Sequence, residues 1–175
     1  DKSYNILPTV EDAYSKLLQK NDWQNLIHEG LNILVEGDIH HLYGIFLLHK
    51  HFRCPKGSRP EEHVHFQERE GKLFVTTMQS TSASDAIPYR FALTSEGVVP
   101  IEFTSRNRSI DYPTSEATER FHAWLELNNL SNLLGLSLLH SDLDPSTSEV
   151  FLERTEMSPP SSIVQLVHRD EINES

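Results

Sequence analysis

The chain has 175 residues, 37% of them hydrophobic, and a formal charge of −11. That suits one globular domain with a real core, and it argues against both sequence-independent nucleic-acid binding and anionic membrane surfaces, which need a basic face. The longest apolar run, residues 44–48, is far short of the roughly 18 residues needed to span a bilayer, and no amino-terminal signal pattern stands out.

Pro8-Thr9 followed by Asp12 reads as a helix start, with Thr9 as N-cap and Val10, Ala13, Leu17 and Leu18 as the apolar stripe. Asn21 or Asp22 can cap a second helix. Trp23, Leu26, Ile27, Leu31 and Leu34 recur along it at helical spacing, and Gly37 ends it. The pattern changes at Tyr43. Residues 44–52 are rich in strand formers, with Ile45, Leu47, His49 and His51 on one face. Residues 53–62 carry Pro55, Gly57, Ser58 and Pro60 and read as a loop.

Residues 63–68 and 72–78 read as two strands joined at Glu70-Gly71, and residues 80–86 as a polar loop. Residues 89–94 and 98–103 form an expected hairpin around Ser95-Glu96-Gly97. After an irregular stretch, Thr114 or Ser115 starts a third helix that buries Ala117, Phe121, Trp124 and Leu125 and ends near Asn128-Asn129. Strands at 134–141, 149–155 and 162–168 follow, then an acidic tail expected to fray. The expectation is a single α+β domain: an antiparallel sheet of six or seven strands, curled towards a partial barrel, with three helices on one side. Residues 44–49 also echo residues 135–140 at an offset of 91 residues, which pairs His49 with His140 and His51 with Asp142.

The chemistry concentrates in two pairs, His49-Lys50-His51 and His63-Val64-His65. Alternate strand residues share a face. A hairpin symmetric about Gly57 would set His51 opposite His63 and His49 opposite His65. Four imidazoles on one patch could hold Zn, Fe, Ni, Cu or Mn, or move protons. Glu70, Arg90, His140 and Asp142 are secondary candidates. Arg90 alternates with Tyr89 and Phe91 and could clamp a carboxylate from a strand, or else pair with a surface acid.

The spacing Gly57-x5-His63-x-His65-x4-Glu70 resembles the first metal motif of the cupins, which are double-stranded β-barrels. The resemblance implies His63, His65 and Glu70 as ligands. Thr77 stands where that motif has a later glycine, and the family's second motif is absent, so a plain α+β fold remains the expectation. No P-loop, GxGxxG, GxSxG, HExxH or CxxC is present.

The functional expectation is a small-molecule enzyme built on the histidine patch, which either holds a divalent metal ion as cofactor or acts as general acid–base without one. The alternative is a non-catalytic ligand-binding or interaction domain with a pH-responsive histidine surface. Protonating all ten histidines would bring the charge to −1. The expected partner is a small-molecule ligand, with no nucleic acid and no membrane. Cys54, the lone cysteine, favours a reducing cytoplasmic setting. Because Asp1 stands first in place of Met, a removed leader is the open alternative.

Overall fold

A computed structural model describes residues 2–67, 71–82, 85–105, 113, 115–139 and 148–172. The chain is α+β. Three longer helices, α2 (Val10–Leu18), α3 (Trp23–Glu36) and α4 (Glu116–Leu127), stand where the sequence periodicity sets them, and two four-residue turns of helix, α1 (Lys2–Asn5) and α5 (Arg169–Ile172), flank the fold. Thr9 caps α2 by accepting from the Asp12 amide (3.2 Å), and Ser115 caps α4 by accepting from Thr118 (3.3 Å). The start of the tail expected to fray is the helical turn α5.

The strands are β1 (Tyr43–Leu47), β2 (Ser58–Gln67), β3 (Gly71–Ser80), β4 (Ile87–Thr94), β5 (Gly97–Thr104), β6 (Leu134–Leu138), β7 (Glu149–Met157) and β8 (Pro160–His168). They make one sheet of eight strands in the order β1-β6-β4-β5-β2-β3-β8-β7. The sheet is mixed rather than antiparallel, because β2 meets β5 in parallel at Glu61↔Phe103 and Glu62↔Thr104. β1 and β7 stand at the two ends of this order. The sheet curls so far that side chains next to β1 touch side chains of β7.

Strand parity divides the core. Tyr43, Ile45 and Leu47 of β1, Phe91 and Leu93 of β4, and Leu134, Leu136 and Leu138 of β6 turn to one face. There they meet Leu34 of α3 and Phe121 and Leu125 of α4. Phe46, Leu48, Ala92 and Ile101 pack in a second cluster with Tyr4, Leu7, Phe52 and Cys54. No described helix is long and apolar enough to cross a membrane.

The sequence echo has a structural counterpart. Gly44 and Gly135 lie in β1 and β6, which pair antiparallel with one another, and the equivalent residues Ile45 and Leu136 face each other. The turns leading into these strands repeat bond for bond. Ile39 N donates to Leu34 O (3.0 Å) and Tyr43 N to Ile39 O (2.9 Å). At the same offset, Leu130 N donates to Leu125 O and Leu134 N to Leu130 O, both at 2.8 Å. Asp38 and Asn129, also 91 residues apart, both adopt the left-handed conformation after their helix (φ 54 and 53). Each helix–strand unit is followed by a hairpin, β2–β3 in one case and β7–β8 in the other. Two α-β-β-β units therefore share the sheet about an approximate twofold, with the β4–β5 hairpin between β6 and β2.

Candidate metal centre

β1 ends at Leu47. Leu48 N still donates to Leu133 O (2.7 Å), the next rung after Leu47↔Leu134, and the chain then leaves the ladder, with Lys50 N donating to Pro8 O (2.8 Å). His49 and His51 therefore do not continue the Ile45–Leu47 face. The His49 ring lies 5.1 Å from that of Phe46, on the other side. The amino-terminal segment holds this loop. Lys50 Nζ donates to Asn5 O (2.7 Å), His51 N donates to Tyr4 Oη (3.1 Å), and Asn5 bonds both backbone groups of Cys54.

The expected hairpin of four imidazoles is not formed. β2 begins at Ser58, inside the stretch read as a loop, and pairs with β3 and β5. Three strands stand between it and β1 in the sheet. His63 lies beside Ser105 (Nδ1 to Oγ 3.1 Å) and Glu61, and His65 is exposed. The turn residues Gly57, Ser58 and Pro60 hid the start of a long strand, and the register argument failed with it. The single curled sheet is also not the double-stranded barrel that the cupin-like spacing implies. Glu70, His140 and Asp142 lie outside the described residues.

What His49 and His51 meet instead is Glu153 of β7. His49 Nε2 stands 2.9 Å from His51 Nε2. Glu153 Oε1 is 3.0 Å from His51 Nε2, and its Oε2 is 3.4 Å from His49 Nε2. Donors about 2.0–2.2 Å from one ion stand roughly 2.8–3.6 Å apart, depending on whether the geometry is octahedral or tetrahedral. All three spacings fall in that window, with Glu153 offering a different oxygen to each ring. The imidazole side chains are 4% and 2% exposed and the carboxylate is 26% exposed, so the cluster is closed on the histidine side and opens past Glu153.

Each donor is held by a second partner. Leu47 O, 2.7 Å from His49 Nδ1, accepts that N–H and turns the Nε2 lone pair towards the cluster. Thr155 Oγ1, 2.7 Å from His51 Nδ1, can do the same for the other ring. Ser162 Oγ donates to Glu153 Oε1 (3.0 Å). Burial opposes ionisation of Glu153. The contacts with His49 and His51 and the charge of Arg90 outweigh it and hold the carboxyl well below its usual range. The group is an anion facing two imidazoles.

Arg90 reaches this cluster from β4. Between Pro88 and Phe91 the register with β5 slips twice, so neighbouring Tyr89 and Arg90 both reach Glu102. Tyr89 Oη and Arg90 Nη1 each donate to Glu102 Oε2 at 2.9 Å, and Arg90 Nη1 lies 3.9 Å from Glu153 Oε1. The guanidinium covers the Phe46 ring at 4.0 Å. Its Nε is buried and has no hydrogen-bond partner among the described residues.

His49, Arg90 and Glu153 line one wall of a cleft of about 670 Å³. Ile45, Phe46 and Leu47 of β1, Leu138, and Phe151 and Val164 of β7 and β8 make it largely apolar. A second group, Asp38, His40 and His41, also converges, but all three are exposed on one turn. Glu153 escaped the sequence reading because it lies 102 residues from His51. One signal was available: Glu153 follows the buried Glu62 at the same offset that relates Gly44 to Gly135. No protein family, curated protein or solved structure matches this chain.

Proposed function

We propose that the chain is a small-molecule enzyme that holds one divalent cation on His49, His51 and Glu153 and works on a ligand entering the adjacent cleft. The observation that carries this reading is the convergence of two imidazole nitrogens and one carboxylate, each side chain with its own orienting partner, on one small volume. Two imidazoles and one carboxylate suit Fe, Mn, Zn or Ni. Three protein donors leave positions for water or substrate, where the ion acts as a Lewis acid or lowers the pKa of bound water. The apolar walls fit an apolar body. Arg90, with an unmatched N–H, fits a carboxylate or another anionic group.

Burial favours an enzyme over a pH-responsive surface, because both imidazoles are almost fully enclosed and His49 lines a concave cleft. Without a metal ion, the same geometry supports a proton relay. His49 Nε2 then accepts from His51 Nε2–H, and Glu153 stabilises the charged form of the pair. Metal analysis of untagged protein, purified without nickel resin, separates the two. Close to one equivalent of a single transition metal supports the metal reading. Metal-free protein that takes up none on dialysis leaves the relay.

A further inference from the structure

The parallel contact between β2 and β5 builds a second group of reactive side chains, which the metal reading leaves unused. Glu61 pairs with Phe103 and Glu62 with Thr104, and the bond from Ser105 N to Glu62 O (3.2 Å) carries that ladder past the end of β5. It brings His63 and Ser105 together, with Ser105 Oγ 3.1 Å from His63 Nδ1. Strand parity places Arg59, Glu61 and His63 on one face of β2. Along that face Arg59 Nε lies 3.6 Å from Glu61 Oε2, and Glu61 Oε1 lies 3.7 Å from His63 Nε2. The row therefore runs cation, carboxylate, imidazole, hydroxyl. Its burial is graded. The Glu61 side chain is 3% exposed and that of His63 32%, while Ser105 is exposed. His63 Nε2 is itself buried and makes no hydrogen bond among the described residues. The enclosed nitrogen of the ring thus faces an acid and the other nitrogen faces a solvent-exposed hydroxyl, the polarity that a nucleophile–base–acid chain needs.

We propose that Ser105 is a nucleophile with His63 as its general base, that Glu61 positions the ring, and that this site takes acyl groups from small aryl esters. With the ring proton on Nε2, towards Glu61, Nδ1 carries the lone pair that accepts the Ser105 proton. Oγ then bonds to the acyl carbon. His63 passes the proton to the leaving oxygen as its bond to that carbon breaks, and Glu61 stabilises the imidazolium in between. Water repeats the sequence on the acyl–Ser105 ester, releasing the carboxylic acid and the free hydroxyl. Glu62 O, 3.3 Å from Ser105 Oγ, is the competing acceptor for the hydroxyl. The 3.7 Å between Glu61 and His63 is ion-pair rather than hydrogen-bond range, as catalytic contacts often are before substrate binds. An exposed hydroxyl gains little from enclosing its substrate, so the fitting acyl donors carry a good leaving group. The step needs no ion and stands apart from the metal reading.

The probes are an alkyl fluorophosphonate and nitrophenyl acetate, each added to the untagged full chain in EDTA, with the adduct mapped by peptide mass spectrometry. Attack by Oγ on the fluorophosphonate forms an O–P bond and expels fluoride. Both reagents should modify Ser105 in the folded chain and not in urea. His63→Gln should slow labelling by about a hundredfold or more, the lower end of what a positioned base supplies, with an unchanged circular dichroism spectrum. His65→Ala, an exposed neighbour on the same strand, should keep the wild-type rate. Glu61→Gln should slow labelling by about tenfold or more, and Glu61→Asp should restore part of the rate, which a loss of packing alone would not do. Absence of an adduct at Ser105 from either reagent would overturn the proposal. So would a wild-type rate in His63→Gln or Glu61→Gln, or equal losses in His63→Gln and His65→Ala.

Discussion

His51, in the loop that follows end strand β1, and Glu153, on the opposite end strand β7, are 102 residues apart in the chain and 3.0 Å apart in space. The contact closes the curl. It also sets an anion beside two buried imidazoles, so the fold's closure and its candidate chemistry share the same atoms. Replacing either residue should therefore affect both metal binding and the seam. Replacing His63 or His65, which sit on β2, should affect neither.

The Tyr89–Arg90–Glu102 group supports that seam from beneath. Glu102 is fully buried and accepts from both Tyr89 and Arg90. Glu102→Ala leaves the Arg90 guanidinium buried and short of its nearest counter-charge. A loss of about 3–5 kcal/mol is expected, the range for breaking a buried pair from one side. Urea unfolding of wild type and variant measures it. A change under about 1 kcal/mol would mean that Arg90 is balanced elsewhere.

Acid should act on the same cluster through Glu153. Its carboxyl is held below the usual range in the folded chain. A depressed folded-state value contributes stability that is present above the unfolded value of about 4.3 and is lost as pH falls through the folded value. Glu153→Gln should remove that contribution. Its stability difference from wild type should be largest near neutrality and shrink below about pH 4. Thermal melts across pH 3–8 (about half-unit steps suffice) give the comparison. A difference that is flat with pH would mean that the depression is absent.

Gly135 and Gly44 are equivalent in the two units but not in surroundings. A Cβ on Gly135 would run into the backbone carbonyl oxygen of Phe91 on β4, whereas one on Gly44 would meet the flexible end of Leu139 at 2.9 Å. Among the described residues no strand pairs with β1 at the position where β4 pairs with β6. Gly135→Ala should cost about 1–3 kcal/mol, as overpacking does, and Gly44→Ala markedly less. Equal losses in paired denaturation curves would contradict this difference in surroundings.

Cys54 is buried among Tyr4, Leu7 and Phe52, and burial pushes its thiol up to about 11. Little thiolate exists near neutrality, so alkylation at pH 8 should be slow in the native chain and rapid after denaturation. Rapid native labelling would show that the amino-terminal clamp over residues 48–54 opens.

Much of the fold was legible locally. Thr9, Ser115 and the Trp23–Leu34 stripe placed three helices, because caps and 3.6-residue periodicity are properties of neighbouring residues. Ser95-Glu96-Gly97 marked the β4–β5 hairpin, and Gly97 does take a positive φ (112) there. The site was legible by half. His49 and His51 were visible as a pair, but their partner depends on how two distant sheet edges meet, which no local pattern encodes. Pairing them with His63 and His65 assumed that strands adjacent in sequence are adjacent in the sheet. The crossover from β1 to β2, with β6, β4 and β5 between, breaks that assumption. The weak echo at Gly44 and Gly135 carried more information than the histidine spacing, because it reflected the way the two units are assembled.

Calorimetric titration of untagged, EDTA-treated chain with Zn²⁺ and Mn²⁺ tests the central claim most directly. Wild type should bind one equivalent, and Tm should rise with metal, by about 2.7 kcal/mol of added stability at a hundredfold excess over Kd. His51→Ala and Glu153→Gln should each abolish the heat, while the double variant His63→Ala, His65→Ala keeps it. No stoichiometric binding in wild type, or binding lost only in the His63/His65 variant, would contradict a metal centre on His49, His51 and Glu153.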